Sequence, residues 1–446
     1  MRVLSGLLFF PRGGSAHVAR ALAHELPAHG WDVTVVSGSQ PGHGDAQTFY
    51  AGLDVHPVRF AAGEAPMHPS YEDRPGAPDR VFAAVGDEDY EEHVRAWAAA
   101  LARAGAAGHD VLHLHHLTPM HEAATRVAPG VPVVTHLHGT ELLMLEEIAA
   151  GAPWPFAEAW RHRMRRWAQA SDTIVVLTEA QIARAVALLG IDPARCLVSP
   201  NGVDPRVFHP RPVDRAAHWH HHLVRAPRGW RPGEGEGSVR YTDAEIAPLA
   251  HGPVFVCVSR FTAVKRLPLL IAAWARAQRR RAMPEAASLV LVGGHPGEWE
   301  GRHPVDAIAA TGARNVFLAG WHDHDALPAF VSASDALVLA SVREQFGSVL
   351  VEAMACERPV IAVDRHGPAE IVEPGITGWL VEPDDEAGLA GALADCAAAP
   401  GERRARGRRA RQVALARYSW PALAGSLAGA FAEAADLARA RLAGTA

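Results

Sequence analysis

Short apolar runs alternate with stretches of helical spacing along almost the whole chain, and halfway along the alternation starts again. Val3 to Phe10 is an unbroken apolar run, Gly13-Gly14-Ser15 ends it, and Val18, Leu22 and Leu26 follow at helical intervals. Val33 to Val36, Val111 to Leu114, Val131 to Thr135 and Thr173 to Leu177 read as further strands, with helices at Glu141 to Ala150 and Phe156 to Ala170. After Gly252 the pattern returns, with strands at Pro253 to Ser259, Ser288 to Val292, Val316 to Ala319, Ala336 to Ala340 and Val360 to Val363. Strands that are apolar at consecutive positions are covered on both faces, and strands alternating with helices build parallel sheets. A chain of 446 residues exceeds a single core. The expectation is therefore an α/β protein of two tandem Rossmann-like domains, at 1–210 and 253–418, with a cleft between the carboxyl ends of their sheets where ligands bind.

Three segments stand outside the repeat. Ala61 to Arg80 carries Pro66, Pro69, Pro75 and Pro78 without periodicity and is expected as an irregular surface loop, followed by a helix with Tyr90, Val94, Trp97 and Leu101 on one face. Arg211 to Gly252, rich in His, Arg, Pro and Gly, is expected as an interdomain insertion. The tail, 419–446, contains an Ala/Leu helix from Trp420 to Leu442.

Composition narrows the function. A net charge of −6 with no long basic block argues against a nucleic-acid binder. Cys196, Cys257, Cys356 and Cys396 form no CxxC pair, which fits a reducing, cytoplasmic chain with neither a disulfide framework nor a zinc knuckle. No run reaches the ~18 apolar residues of a membrane span. Among the 43 basic residues only Lys265 is a lysine. A lysine kept against such an arginine bias suits a place that wants a compact, strongly hydrated ammonium.

Four constellations carry chemistry. Ser341 to Ala355 follows a strand, and Gly347-Ser348 can open a helix whose free amides bind an anion. Glu344 in that turn and Glu352 along the helix are two carboxylates able to accept hydroxyl hydrogen bonds from a sugar and a ribose; an ordinary helix-start acid with a solvated Glu is the other reading. Arg260 and Lys265 leave the strand Val254 to Val258 and reach one diphosphate, or else are surface cations flanking a buried strand. Gly13-Gly14-Ser15 permits close backbone approach to an anion, with a plain left-handed turn as the favoured alternative; neither it nor Gly293-Gly294-His295-Pro296-Gly297 matches GxGxxG. In Thr135-His136-Leu137-His138-Gly139-Thr140-Glu141 the two histidines share a face and His138 points into the cleft; His113, His115 and His116 form a similar cluster. For these, and for His218-Trp219-His220-His221-His222, core or surface histidines are favoured over a metal site. Asn201-Gly202-Val203-Asp204 reads as a turn, and Arg403 to Arg411 as a solvated helix face.

Taken in order, these residues resemble the retaining, nucleotide-sugar-dependent glycosyltransferases of family 4, whose GT-B fold sets two Rossmann-like domains face to face. Glu344 and Glu352 look like the family's E-x7-E pair, with Phe346, Gly347 and Ser348 between them. Arg260 and Lys265 match its donor-diphosphate cations, Gly13-Gly14-Ser15 its amino-terminal glycine loop, His138-Gly139 its active-site histidine, and Asn201 to Asp204 its Asn-Gly-Val-Asp turn. Tyr418-Ser419-Trp420 is similar to the approach to the final helix, which in GT-B enzymes crosses back to the first domain. The chain departs from the family at Glu357, where glycine is usual, and at Arg365 to Glu370, which replaces a Gly-Gly-x-x-Glu pattern. Its loop at 61–80 and insertion at 211–252 exceed a minimal member, and acceptor recognition is assigned there.

The resemblance implies transfer of a sugar from a nucleoside diphosphate to an acceptor with retained anomeric configuration. The catalytic set is His138, Arg260, Lys265 and Glu344. The donor-binding set is Gly13, Gly14, Ser15, Asn201, Arg260, Lys265, Glu344, Phe346, Gly347, Ser348 and Glu352. No metal or cofactor is expected, the partners are a UDP- or GDP-type sugar and a small-molecule acceptor in preference to a lipid, and a homo-oligomer is allowed. The alternatives are a nucleotide-sugar epimerase, a non-catalytic nucleotide-sugar binder, and a pyridoxal-phosphate phosphorylase with Lys265 as its Schiff base.

Overall fold

The computed structural model describes residues 1–444 except 12, 43, 61, 67 and 73–78. The chain divides into two compact units, residues 1–201 with 420–446, and residues 202–419. The first unit is built on strands β1 (Arg2–Leu7), β2 (Asp32–Ser39) and β3 (Asp54–Arg59), a short pair β4 (Pro69–Ser70) and β5 (Arg80–Val81), then β6 (Val111–His115), β7 (Val133–His136), β8 (Thr173–Val176) and β9 (Cys196–Val198). Its sheet is parallel in the order β3-β2-β1-β6-β7-β8-β9. The second unit holds β10 (Val254–Val258), β11 (Ser288–Val292), β12 (Val316–Gly320), β13 (Ala336–Leu339), β14 (Val360–Val363) and β15 (Gly378–Val381), parallel in the order β12-β11-β10-β13-β14-β15. In each sheet the order reverses between two central neighbours, β1 and β6 in one, β10 and β13 in the other. The loops leaving such a pair diverge and open a crevice at the carboxyl ends.

The expected strands are all present; β3, β9 and β15 add edges that lack long apolar runs. The tail forms the helix Trp420–Gly444, which belongs to the first unit and buries Leu427 and Phe431 against Val3, Val18, Leu22 and Trp31. Among the described residues no helix is long and apolar enough to cross a membrane.

Three expectations are corrected. The segment 211–252 is part of the second unit and not an interdomain insertion. Trp219 and Trp230 are fully buried, and Trp230 Nε1 donates to Gly294 O at 2.9 Å. Leu318 N on the edge strand β12 donates to the Tyr241 hydroxyl at 2.9 Å, so the segment covers a sheet edge that would otherwise expose unpaired backbone. The flanking residues 202–210 also join the second unit. The loop at 61–80, whose residues 61, 67 and 73–78 lie outside the described set, is not confined to the surface: Tyr71 is buried and donates to Leu117 O at 2.6 Å. The arginine run is only partly solvated. Arg403 is buried and donates to Cys396 O at 2.7 Å, and Arg406 lies 4.0 Å over the Trp379 ring while donating to Gly378 O at 2.8 Å.

Glu357, the departure from glycine, takes φ +59°. A side chain in that left-handed region costs about 1–2 kcal/mol. Glu357→Gly is therefore expected to stabilise the second unit by about 1 kcal/mol, read as a higher urea midpoint; an unchanged or lower midpoint refutes the strain.

Candidate active site

In the second unit the chain leaves β10 through Ser259 and the exposed Arg260, makes a single turn at Ala263–Lys265, and enters the helix Leu267–Arg279. The loop leaving β13 runs beside it, with Val342 N donating to Val264 O at 3.1 Å. This contact fixes the two diverging loops of the switch point together. Across it the Lys265 ammonium donates to the Glu344 carboxylate, both side chains about four-fifths covered. Gly347, at φ +100°, turns the chain into the helix Ser348–Ala355. The positive end of that helix's dipole suits an anion. Glu352, one turn further on and buried, accepts from His324 Nε2 at 2.8 Å. Phe346 is buried beside Tyr418 and anchors the loop.

The replaced Gly-Gly-x-x-Glu segment keeps a glycine-like path. His366 has φ +54° and ψ −137°, and Gly367 N donates to Glu344 O at 3.3 Å. A Cβ on Gly367 would sit 2.3 Å from Phe346 backbone atoms, so that glycine is required by close approach. Thr262 Oγ1 and Ser341 Oγ are buried here without a partner among the described residues. Unfilled hydroxyls in a loop pair of this kind are a place for a polar ligand.

In the first unit Gly14–Glu25 is the helix after β1, and Gly13 before it is extended, φ −126° and ψ −179°. The left-handed turn is thus not the reason for Gly13. A Cβ on Gly13 or Gly14 would meet nothing within 4 Å, so packing does not require glycine either and the space before the helix is open. Asn201 and Gly202 likewise avoid positive φ; Val203 N donates to Tyr418 O at 2.7 Å, and Asp204 binds the Arg206 amide at 2.8 Å.

The histidine motif is more organised than its sequence indicates. β7 ends at His136, and the rings of His136 and His138 stack at 4.8 Å and 7°, as sharing a face requires. His138 N donates to both Glu141 carboxylate oxygens at 3.2 Å, while Glu141 Oε1 lies 2.7 Å from His116 Nδ1. His116 is held at φ +65° by its amide bond to His136 O at 2.8 Å. A strained non-glycine backbone at the end of a central strand is typical of functional positions. Burial works to raise the Glu141 pKa, but the His116 charge and hydrogen bonds outweigh it, so the carboxyl sits below its ordinary value. Burial pushes His138 well below the usual imidazole value, reinforced by His116 and His136. Glu141 and His116 were not assigned roles from sequence; an acid three residues after His138, at a helix start, is the signal that finds Glu141.

His121, on the helix Pro119–Val127, is pushed down to about 4, first by burial, and its Nε2 lies 2.9 Å from Thr135 Oγ1. Its folded pKa is below the unfolded value near 6.5, so it contributes nothing to pH dependence above 6.5. Stability falls as pH drops from there towards 4, because only the unfolded chain takes the proton. Relative to His121→Gln, the native chain should lose about 2 kcal/mol more between pH 7 and pH 5, measured by urea unfolding. Equal losses refute the neutral buried imidazole.

Residues 12–207 match the family described as Glycosyltransferase Family 4, and residues 243–413 match Glycosyl transferases group 1. A D-inositol 3-phosphate glycosyltransferase of Actinosynnema mirum is 29% identical over 439 residues, covering 90% of this chain and 95% of its own. Its counterpart in Stackebrandtia nassauensis is 30% identical, covering 73% and 68%. An N-acetyl-alpha-D-glucosaminyl L-malate synthase of Bacillus anthracis is 22% identical over 87% and 86%. Among solved structures, Anabaena HepE in complex with UDP superposes with a TM-score of 0.67 at 19% identity, over 97% of this chain and 100% of that one. Sucrose-phosphate synthase of Thermosynechococcus elongatus gives 0.66 at 20% identity, over 97% and 99%. These two likenesses show a shared fold. With both halves matched in order and the E-x7-E loop built around its lysine, the chain belongs to glycosyltransferase family 4 and is of GT-B type.

Proposed function

We propose that this glycosyltransferase moves a sugar from a nucleoside diphosphate to a small polyhydroxylated or carboxylate-bearing acceptor, in the cytoplasm, with retained anomeric configuration. The observation that carries the reading is the Lys265–Glu344 pair at the switch point of the second sheet, directly before the helix that begins at Ser348. A donor diphosphate takes Lys265 away from Glu344, adds Arg260, and caps the helix amides. Glu344, released, accepts from hydroxyls of the transferred sugar. Glu352 exchanges its His324 bond for the ribose hydroxyls. Stabilising the leaving diphosphate in this way lowers the barrier to an oxocarbenium-like state, and the diphosphate's own oxygen takes the acceptor proton from the same face. His138, oriented by Glu141, contacts sugar or acceptor. The small acceptor is supported by relatives named for inositol phosphate and malate.

A thermal-shift panel of UDP-, GDP-, ADP- and TDP-sugars identifies the donor, and NMR of slow donor hydrolysis reads the anomer. Retention, with turnover that does not respond to added Mg2+ or Mn2+, is the expected result. An inverted anomer, or interconversion of the sugar without transfer, overturns the proposal.

A further inference from the structure

His113 and His115 on β6 and His136 on β7 project from the same face of the first sheet, since His115 pairs with His136 in register and His113 lies two residues before His115. All three are fully buried, with His113 against Phe431 of the C-terminal helix at 5.0 Å. One ring nitrogen from each lies within 4.8 Å of the other two. His113 Nε2 and His136 Nδ1 are 3.2 Å apart, close to the ~3.4 Å between two ligands bound at 2.0–2.1 Å to one tetrahedral ion. His115 Nδ1 lies 3.0 Å from His138 Nε2, while His115 Nε2 is buried with no partner among the described residues. A His115 tautomer that donates from Nδ1 to His138 leaves the Nε2 lone pair available, the arrangement by which an outer partner orients a metal-binding imidazole.

We propose that His113, His115 and His136 bind a divalent d-block ion of the Zn2+ type that ties β6 to β7 beneath the C-terminal helix. Three imidazoles without a carboxylate select Zn2+ and its neighbours over Mg2+ or Ca2+. The ion replaces the hydrogen bond between His113 and His136: the ring that donated it shifts its proton to its other nitrogen, so both rings stay neutral and no proton leaves the site. It is structural, and the sugar-transfer step does not run through it.

The test uses the full chain, purified without a metal-affinity tag, stripped with chelator and then given Zn2+ or Co2+ alone. The expected results are one ion retained per chain by elemental analysis after dialysis, visible d–d absorption of four-coordinate Co2+, and a higher thermal midpoint for the loaded chain. His113→Asn should weaken Zn2+ binding by more than about 100-fold, beyond the ~10–100-fold cost of losing an outer partner. The combined change His220→Ala, His221→Ala at the two exposed histidines should leave binding intact. Should His113→Asn fail to fold, the Co2+ spectrum and the Zn2+-dependent midpoint of the native chain decide alone. No retained ion, six-coordinate Co2+, or binding that survives His113→Asn but vanishes with the change at 220 and 221 overturns the proposal.

Discussion

Lys265→Ala is expected to lower turnover of the cognate donor by about 10²–10³-fold, the range seen when one preorganised charge-stabilising group is removed. The ammonium is the cation the structure holds against Glu344, and alanine leaves that carboxylate facing the incoming diphosphate unscreened. Both partners keep some solvent contact, so losing the pair shifts the thermal midpoint by no more than about 2–4 °C. Activity and stability thus part company, and steady-state kinetics beside a melting curve reads both. Lys265→Arg separates charge from shape: a planar guanidinium is wider and less hydrated than an ammonium, and a drop of at least about tenfold is expected. Full activity in Lys265→Ala would sink the donor-site assignment. Full activity in Lys265→Arg would make the single lysine among 43 basic residues a coincidence.

Glu141→Ala has the largest expected effect on folding. The carboxylate is completely buried, binds the His138 amide and neighbours His116, and its removal leaves both without a counterpart. Deleting a buried, hydrogen-bonded carboxylate strands the His138 amide and leaves a hole, at a cost of about 2–5 kcal/mol. Urea unfolding should show that loss in the first unit. Because the Glu141 pKa is lowered in the fold, its contribution is present above the unfolded carboxyl value and disappears as pH falls below it. Glu141→Gln keeps the shape and an acceptor for His138 N. It is expected to retain most stability while lowering kcat more than it raises KM, the sign of a residue that positions His138; a purely structural role leaves kinetics of the folded variant unchanged.

The alternation of apolar runs with helices made both sheets readable, since strands covered on two faces need no partner context to be recognised. Edge strands β3, β9 and β15 were hidden because half their positions face outward or lie beside loops. Lys265, Glu344 and Glu352 were legible as a spacing, but their pairings were not: that Glu344 meets Lys265 and Glu352 meets His324 depends on which strands neighbour one another. The segment 211–252 misled because His, Pro and Gly interrupt any periodicity among its apolar residues, yet Trp219, Leu223, Trp230, Val239 and Leu249 are buried and seat it on the second unit. Arg403 and Arg406 misled in the opposite way, as charged side chains whose stems and guanidinium groups are used to tie off carbonyls inside a unit.

The last helix also sets an order of assembly. Its residues Leu427 and Phe431 complete the core around Val3, Val18, Leu22 and Trp31, but they leave the ribosome only after residues 202–419 have been made. At about 5–20 residues per second the amino-terminal half waits roughly 10–40 s with that apolar face uncovered. The half that is synthesised first is therefore finished last, and released chains that end at Ser419 should be clients for chaperones even though the second unit is already complete.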